Sequence, residues 1–184
     1  MIFSVIGQLL VGWLIADFLG GCVHWWEDRV ARCDWPLIGP YAIIPNRQHH
    51  LDATAFLVGS TLIGRNRAAF PVALLVAAAW WLLLGPSLVL AAAFVGAVIS
   101  VEVHYQAHLP HEPRAWALRS LLRPLWDSGV IQSPAAHGKH HRLPDGDYCP
   151  LTGWLNPFLT HVRFWDGLEW ALTHVGLTPN RGTA

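Results

Sequence analysis

The sequence predicts an all-α integral membrane protein, with about three transmembrane helices capped by a helical, histidine-rich region on the cytoplasmic side. Of its 184 residues, 53% are hydrophobic and only 13% are charged, whereas a soluble domain carries about a quarter charged residues. The length suits a single domain, 1–184, with no room for two full cores. Because the formal net charge is zero, nothing indicates a nucleic-acid partner.

Three apolar stretches approach the length that crosses a bilayer, which is about 20 residues with a lower limit near 17. They cover residues 2–26, 68–85 and 86–103. The first lacks a basic leading region and a small-residue cleavage motif, so we expect a span rather than a cleaved signal peptide. A tight turn at Gly85-Pro86 is predicted between the other two.

Two other apolar segments do not qualify as spans. Residues 36–44 are interrupted by proline and glycine, and residues 55–64 are too few to cross. We expect both segments to lie at the interface or to pack over a functional site.

The positive charges orient these spans. All 12 lysine and arginine residues lie at or after Arg29, and none falls in the Gly85-Pro86 turn. The positive-inside rule then places 29–67 and 114–181 in the cytoplasm, with the amino terminus and the turn outside. A single lysine beside eleven arginines is typical of a GC-rich bacterial gene, which suggests a bacterial inner membrane.

Eight of the eleven histidines gather on that predicted cytoplasmic face, from four separate places in the chain. Imidazole binds transition metals and moves protons near neutral pH. The three cysteines, at 22, 33 and 149, form no C-x-x-C pair, so a thiolate-rich structural zinc site is not expected. The eight histidines are His24, His49, His50, His104, His108, His137, His140 and His141.

The spacing of these residues suits helices, on which positions i, i+3 and i+4 share a face. "HYQAH" and "HGKHH" have it, "HWWED" adds the carboxylate of Asp28, and "NRQHH" has Asn46 in place of a first histidine. Adjacent histidines on a helix point about 100° apart, so an HH pair suits two neighbouring ions. Eight imidazoles also exceed the shell of any single ion, and imidazole suits iron, copper or zinc.

The remaining polar residues leave alternatives open. His111, His161 and His174 are isolated and are expected to be surface or hydrogen-bonded residues. Asp17 lies inside the first span, where a charge is costly, and could orient a ligand imidazole or pair with an interfacial arginine. Glu102 should point away from the His104 face.

Two aspartates and one loop complete the candidates. Asp127 and Asp147 are possible ligands or orienting groups. Residues 152–157, "TGWLNP", could shape a substrate site, although Gly-Trp and Asn-Pro are also ordinary turn signals.

The motifs "HWWED", "RQHHLDATAF" and "SGVIQSPAAHGKHHRLPDGDYCPLTGWLN" resemble the Kua-type lipid desaturases, a family of membrane di-iron enzymes that includes plasmanylethanolamine desaturases and a plastid acyl-chain desaturase. The resemblance covers residues 17–172. It implies that the eight histidines bind metal and are catalytic. Asp28 and Asn46 stand where ordinary acyl desaturases have histidine, which leaves open whether either touches metal.

The resemblance also implies a reaction. Two non-haem iron ions, with dioxygen as co-substrate, would remove two hydrogens from neighbouring carbons of a membrane phospholipid and leave a double bond. We find no dinucleotide, haem or iron–sulfur motif, so we expect a cytochrome- or ferredoxin-type external electron donor. The oligomeric state is left open.

Several functions fit this pattern. The leading one converts an alkyl-ether phospholipid to its vinyl-ether plasmalogen, and the alternative desaturates or hydroxylates a phospholipid acyl chain. A histidine-rich metal transporter or metal-binding membrane protein is the rival of another class. Transporters place their ligands near the bilayer midplane, whereas these histidines lie at and beyond the span ends.

Overall fold

A computed structural model of the chain describes residues 2–55, 57, 61–111, 116–143 and 145–179. Within them the secondary structure is entirely helical, which confirms the predicted all-α class. The α-helices are α1 (Ile2–Arg29), α2 (Ile44–Leu51), α3 (Leu62–Asn66), α4 (Ala69–Leu84), α5 (Leu88–Ala107), α6 (Trp116–Asp127), α7 (Pro134–Arg142), α8 (Asn156–His161) and α9 (Phe164–His174). A π-helical turn, Gly39–Ile43, precedes α2, and a 3-10 turn, Leu109–His111, follows α5.

Two helices are long and apolar enough to cross a membrane. They are Ser4–Arg29, within α1, and α5, with 26 and 20 residues. Their side chains are mostly exposed on the outer faces, as lipid contact requires. These helices agree with the first and third predicted spans, and the protein is an integral membrane protein.

The middle apolar stretch forms a shorter helix than the other two. Helix α4 has 16 residues and is therefore about 24 Å long, somewhat less than a bilayer core of about 30 Å. It ends at Gly85, whose φ of 79° disfavours residues with a side chain. The Ser87 hydroxyl then caps α5 by accepting from the Leu90 amide at 3.1 Å. The turn lies where it was predicted, and a third crossing stays a prediction.

Helices α1 and α5 run parallel and pack closely through small residues. A Cβ added to Gly12 would lie 2.7 Å from the Ala92 Cβ, and one added to Gly96 would lie 2.7 Å from the Ala16 Cβ. Such distances leave no space for a side chain, as in membrane helix pairs with small residues at the crossing. This packing places the carboxyl ends of both helices, which carry histidines, at the same face of the molecule.

Asp17 anchors the segment that follows α7. Its carboxylate accepts hydrogen bonds from the amides of Leu151 at 2.9 Å and Thr152 at 3.1 Å, and from the Thr152 hydroxyl at 2.5 Å. The expectation that Asp17 orients a ligand imidazole or pairs with an arginine is therefore wrong. Three donors from one loop satisfy a carboxylate inside the apolar span, and they fix that loop against α1.

The same loop is held from a second side by two amide side chains. The Cys149 amide donates to Asn156 Oδ1 at 2.9 Å. The Cys149 carbonyl accepts from Asn156 Nδ2 at 3.2 Å and from Gln132 Nε2 at 3.0 Å. Because Thr152 and Asn156 are both used in these contacts, residues 152–157 form a structural turn.

The short apolar segments lie outside the long helices. Within 55–64, Phe56 and 58–60 are outside the described residues, and the remainder leads into α3. The guanidinium of Arg65 on α3 binds the Glu102 carboxylate at 2.7 and 2.8 Å. Glu102 therefore faces away from the histidines, as predicted. Residues 36–44 lead through the π-helical turn into α2.

Candidate metal centre

Nine side chains that could bind metal meet at the carboxyl ends of α1 and α5, together with α2 and α7. They fall into two groups, and within each group the candidate ligand atoms lie within 4.8 Å of one another. The five-histidine group is His49, His104, His108, His137 and His141. The carboxylate group is His24, Asp28, His50 and His140. Every residue predicted as a ligand from the sequence belongs to one of them.

The two HH pairs are each divided between the groups. His49 belongs to the five-histidine group and His50 to the carboxylate group. On α7, His141 belongs to the first and His140 to the second. This division follows from the turn of about 100° per residue in a helix, and it provides positions for two ions side by side.

The five-histidine group is arranged as a coordination shell. His104 Nε2 lies 3.1 Å from His49 Nε2, and His137 Nε2 lies 3.0 Å from His108 Nε2 and 2.8 Å from His141 Nε2. Imidazole nitrogens about 2.1 Å from one ion stand roughly 3.0 Å apart when they subtend a right angle. Since a single Nε2 cannot donate to two neighbours, a shared cation explains this convergence better than hydrogen bonding does.

The carboxylate group has the same character. His24 Nε2 and His140 Nε2 lie 3.6 and 3.4 Å from Asp28 Oδ2, and His50 Nε2 lies 3.3 Å from Asp28 Oδ1. The three nitrogens and Oδ2 are buried without a hydrogen-bond partner of good geometry. Buried polar atoms are rarely left in that state, so these residues fit a metal ion that would satisfy all of them.

Backbone carbonyls orient two of these imidazoles. His24 Nδ1 lies 3.1 Å from the Tyr148 carbonyl, and His140 Nδ1 lies 2.7 Å from the Gly146 carbonyl. A carbonyl only accepts, so each Nδ1 carries the proton and each Nε2 presents a lone pair to the centre. The loop anchored by Asp17 thus positions His24 through the carbonyl of Tyr148.

Asn46 lies behind Asp28. Its Nδ2 donates to Asp28 Oδ1 at 2.5 Å, and its side chain is buried. Among the alternatives that the sequence left open, this geometry makes Asp28 the candidate ligand and Asn46 the residue that holds it. Asp147 binds Lys139 Nζ at 2.6 Å instead, and Asp127 pairs with Arg123, so neither belongs to the two groups.

The electrostatics of the site favour neutral imidazoles. Burial lowers the pKa of His49 and of His137 well below its usual value, and neighbouring histidines lower it further. For His141, burial and then the nearby His50 and His108 lower the pKa to about 3. A neutral imidazole is the form that binds metal, so these side chains stand ready as ligands at pH 7.

An aromatic layer closes the site on the side of α9. The Tyr148 ring lies 5.1 Å from that of His140 and 4.9 Å from that of Trp165. Trp25, Leu159 and Trp165 pack with Tyr148 in one buried cluster. This cluster excludes water from the carboxylate group. The role of Tyr148 could not be predicted from the sequence, because every residue has a backbone carbonyl and its use as an acceptor leaves no signal in residue type.

The isolated histidines lie elsewhere. His161 and His174 are exposed, and His174 Nδ1 bonds to the Trp170 carbonyl at 2.8 Å. Both fit the expected surface role. The side chain of His111 lies outside the described residues.

Comparison with known proteins decides the family. Residues 13–181 match the family model described as lipid desaturase domain. The chain belongs to the lipid desaturase family. The resemblance drawn from the histidine motifs is thereby confirmed.

Curated relatives of this chain include two plasmanylethanolamine desaturases. That of Myxococcus xanthus is 30% identical over 96% of this chain and 64% of its own length. Plasmanylethanolamine desaturase 1 of Mus musculus is 32% identical over 90% of this chain and 64% of its own length. The chain thus spans less than two thirds of the length of these two relatives.

A third curated relative is named a probable fatty acid desaturase instead of a plasmanylethanolamine desaturase. A probable fatty acid desaturase of Acanthamoeba polyphaga mimivirus is 30% identical over 88% of this chain and 79% of its own length. No solved structure matches the chain.

Proposed function

We propose that this lipid desaturase is a di-iron, dioxygen-dependent enzyme that introduces the vinyl-ether double bond into alkyl-ether phospholipids. The observation that carries the proposal is the convergence of eight imidazoles and one carboxylate into two adjacent ligand groups at one end of two membrane helices. The relatives named plasmanylethanolamine desaturases support the ether substrate.

Two iron ions fit the donor set. The all-nitrogen group and the mixed nitrogen and oxygen group both suit iron, and eight histidines exceed the shell of one ion. When bound, the irons would supply the activation of dioxygen needed to remove hydrogen from an unactivated methylene. Overall, dioxygen, two electrons, two protons and a saturated –CH2–CH2– unit give a –CH=CH– unit and two waters.

The residues of the chain orient and protect this chemistry. The Tyr148 and Gly146 carbonyls hold His24 and His140 in the tautomer that presents Nε2, and Asn46 holds Asp28. The aromatic cluster around Trp165 keeps water from one side. A dry, preorganised site limits side reactions of dioxygen.

A second candidate is desaturation of a phospholipid acyl chain. The mimivirus relative, named a probable fatty acid desaturase, favours it. The same metal site would serve, and the position of the chain relative to the ions would decide where the double bond forms.

The topology and the electron supply are part of the proposal. By the positive-inside rule the metal centre faces the cytoplasm, in a bacterial inner membrane, and the chain's amino terminus lies outside. Two electrons come from a separate cytochrome- or ferredoxin-type donor, which reaches the centre from that face.

Lipid analysis tests this function. The protein is expressed with a reductase system in cells supplied with alkyl-ether phospholipids, and the lipids are examined for acid-labile vinyl ethers. We expect a vinyl-ether product that requires dioxygen and disappears in the His140→Ala variant.

Other products would indicate a different function for the protein. New double bonds confined to ester-linked acyl chains would favour the second candidate. No new lipid, together with metal flux into vesicles that contain the protein, would favour a transporter and contradict the proposal.

A further inference from the structure

A groove of about 600 Å³ lies between α6 and the beginning of α7, outside the two ligand groups. Its lining includes Trp116, Arg119, Ser120 and Arg123 of α6, and Ser133 at the start of α7. The mechanism proposed above uses none of these residues. The groove therefore combines two guanidinium groups, two hydroxyls and the carboxylate of Asp127 in one concave surface.

Among the described lining residues, two arginines stand against one carboxylate, so their formal net charge is positive. Arg123 Nε lies 2.9 Å from the Asp127 carboxylate, and both side chains are more than half exposed. Arg119 donates to the Pro110 carbonyl at 3.3 Å, and no carboxylate of the described residues pairs with it. The charge of Arg123 is thus partly neutralised by Asp127, whereas the guanidinium of Arg119 can bind an anion.

The groove lies next to the metal centre. One wall contains Pro110, two residues after His108, and another contains Ala135, two residues before His137. Two residues of helix correspond to about 3 Å along the axis. An anion in the groove would therefore lie beside the elements that carry the five-histidine group.

Helix α6 places the groove at the depth of lipid headgroups. Its exposed side chains include Leu118, Leu121 and Leu125, spaced by three and four residues on one face, and Trp116 at its beginning. The arginines lie on a different face. An amphipathic helix of this kind lies in the membrane interface with its apolar face among the acyl chains. The charged groove then opens at the level of phosphate groups.

We propose that this groove binds the phosphate of the membrane phospholipid substrate, with Arg119 as the principal contact and Arg123 as a second. The proposal rests on the proposed function and deepens it by identifying a specificity-determining subsite. Guanidinium groups bind phosphate through paired, charge-assisted hydrogen bonds. Complementary charge and continuity with the lipid-facing side of α6 identify a membrane lipid as the occupant.

The position of this subsite favours the ether substrate. A phosphate held beside the segments that carry His108 and His137 would place the glycerol linker, rather than the middle of an acyl chain, next to the centre. The first carbons of the alkyl chain, next to the ether oxygen, would then lie nearest to the metal-binding residues. A double bond in the middle of an acyl chain would need the headgroup to be held much farther away.

Lipid binding tests the subsite without iron or dioxygen. The metal-free protein of 184 residues in detergent is titrated with an alkyl-acyl phosphatidylethanolamine and with the matching phosphate-free alkyl-acyl glycerol. We expect Arg119→Gln to weaken phospholipid binding by about tenfold, the effect of losing one charge-assisted contact. Binding of the phosphate-free lipid should not change, and Arg119→Lys should restore part of the affinity.

Two further variants complete the design. Arg123→Gln should weaken phospholipid binding less than Arg119→Gln does, and its exposed position makes it a usable second variant if Arg119→Gln fails to fold. Arg163→Gln is the matched control, since Arg163 is an exposed, ion-paired arginine that does not line the groove. It should bind both lipids like the wild type.

Three kinds of result would contradict the subsite, its lipid occupant or the proposed function. Equal binding of both lipids by the wild type, or equal effects of Arg119→Gln and Arg163→Gln, would overturn the subsite. Saturation by inorganic phosphate with no preference for phospholipid would overturn the lipid assignment. Loss of the vinyl-ether product with selective phospholipid binding intact would contradict the proposed function alone, because the binding assay needs no catalysis.

Discussion

Single histidines determine what this site can bind. His24 and His140 each direct Nδ1 to a backbone carbonyl, so their Nε2 lone pairs are committed to the centre. Asp28 supplies the only carboxylate of the two groups. The consequences of these roles can be tested residue by residue.

His140→Ala should remove a ligand from the carboxylate group while the helices still insert. We expect the iron content per protein to fall and the lipid product to be lost, because the remaining ligands of that group would be His24, Asp28 and His50. Metal analysis of purified protein and lipid analysis measure the two effects.

His174→Ala provides the comparison for that variant. His174 is exposed and bonds only locally, to the Trp170 carbonyl. Its replacement should leave metal content and product unchanged. Equal behaviour of the two variants would contradict the ligand assignment.

Asn46→Ala should weaken metal binding without removing a ligand. Its amide holds Asp28 Oδ1 at 2.5 Å, and loss of a residue that orients a ligand typically costs about 10–100-fold in metal affinity or activity. Competition with a chelator measures the affinity.

Gln48→Ala is the matched control for Asn46→Ala, since Gln48 is an exposed amide on the same helix α2. It should retain the wild-type affinity. A similar loss in both variants would show that α2, rather than the contact with Asp28, is responsible.

The spacing of the histidines in the sequence was sufficient to identify the candidate ligands. It was not sufficient to identify the groups that orient their side chains. The histidine spacing predicted both the set and the division of each HH pair, because helical geometry relates residues that are close in the chain. Asp17 binds Leu151 and Thr152, more than 130 positions away. Contacts of that range, like the carbonyl of Tyr148, depend on the fold and leave no local pattern.

At the level of elements, the parallel packing of α1 and α5 brings two of the four histidine-bearing segments together. The two helices meet through Gly12, Ala16, Ala92 and Gly96. This close contact fixes the displacement of one helix along the axis of the other, and with it the relative positions of His24 and His104. We therefore expect the small residues at this crossing to matter for the candidate metal centre as well as for stability.

Gly12→Ala should destabilise the protein. The added Cβ would meet the Val89 carbonyl oxygen and lie 2.7 Å from the Ala92 Cβ, and overpacking of this kind costs about 1–3 kcal/mol. We expect a lower thermal transition temperature in detergent and reduced iron binding.

Gly7→Ala tests whether the crossing itself is responsible. Gly7 lies on the same helix, with no atom within 4 Å of an added Cβ. In a helix, alanine is favoured over glycine by about 1 kcal/mol, so Gly7→Ala should be neutral or slightly stabilising. Destabilisation by both substitutions would contradict a close contact at Gly12.

The sequence predicted those helices correctly that consist of long runs of apolar residues. Long apolar runs indicated α1 and α5, and the Gly85-Pro86 break indicated where α4 ends. Helix α4 has 16 residues against the 18 of the predicted stretch, because Ala68 and Gly85 are its capping residues. The amphipathic helix α6 was not predicted. Its leucines and arginines are interspersed, so the segment does not form the long apolar run that marked α1 and α5.

For the whole molecule, the buried histidines make stability depend on pH. The pKa of His141 is lowered to about 3 from an ordinary value of 6.5, mainly by burial, and the pKa values of His49 and His137 are also lowered. Above pH 6.5 these imidazoles are neutral in both the folded and unfolded states. Below it, the unfolded chain takes up protons that the folded protein does not.

The metal-free protein should therefore lose stability as the pH falls from 6.5 towards about 3. Thermal unfolding in detergent across this range measures the effect, and bound metal should reduce it until protons displace the ions. A transition temperature that does not change with pH would show that these histidines are solvated in the folded protein.

The unequal charge of the two ligand groups has one more consequence. One group offers only neutral nitrogen donors, whereas the other includes the carboxylate of Asp28. Two ions of the same element in such unlike surroundings would differ in redox potential and in spectroscopic signature. Sequential loading, with the anionic position filled first, would give a half-occupied species, and two distinct iron signals of equal weight would mark the complete centre.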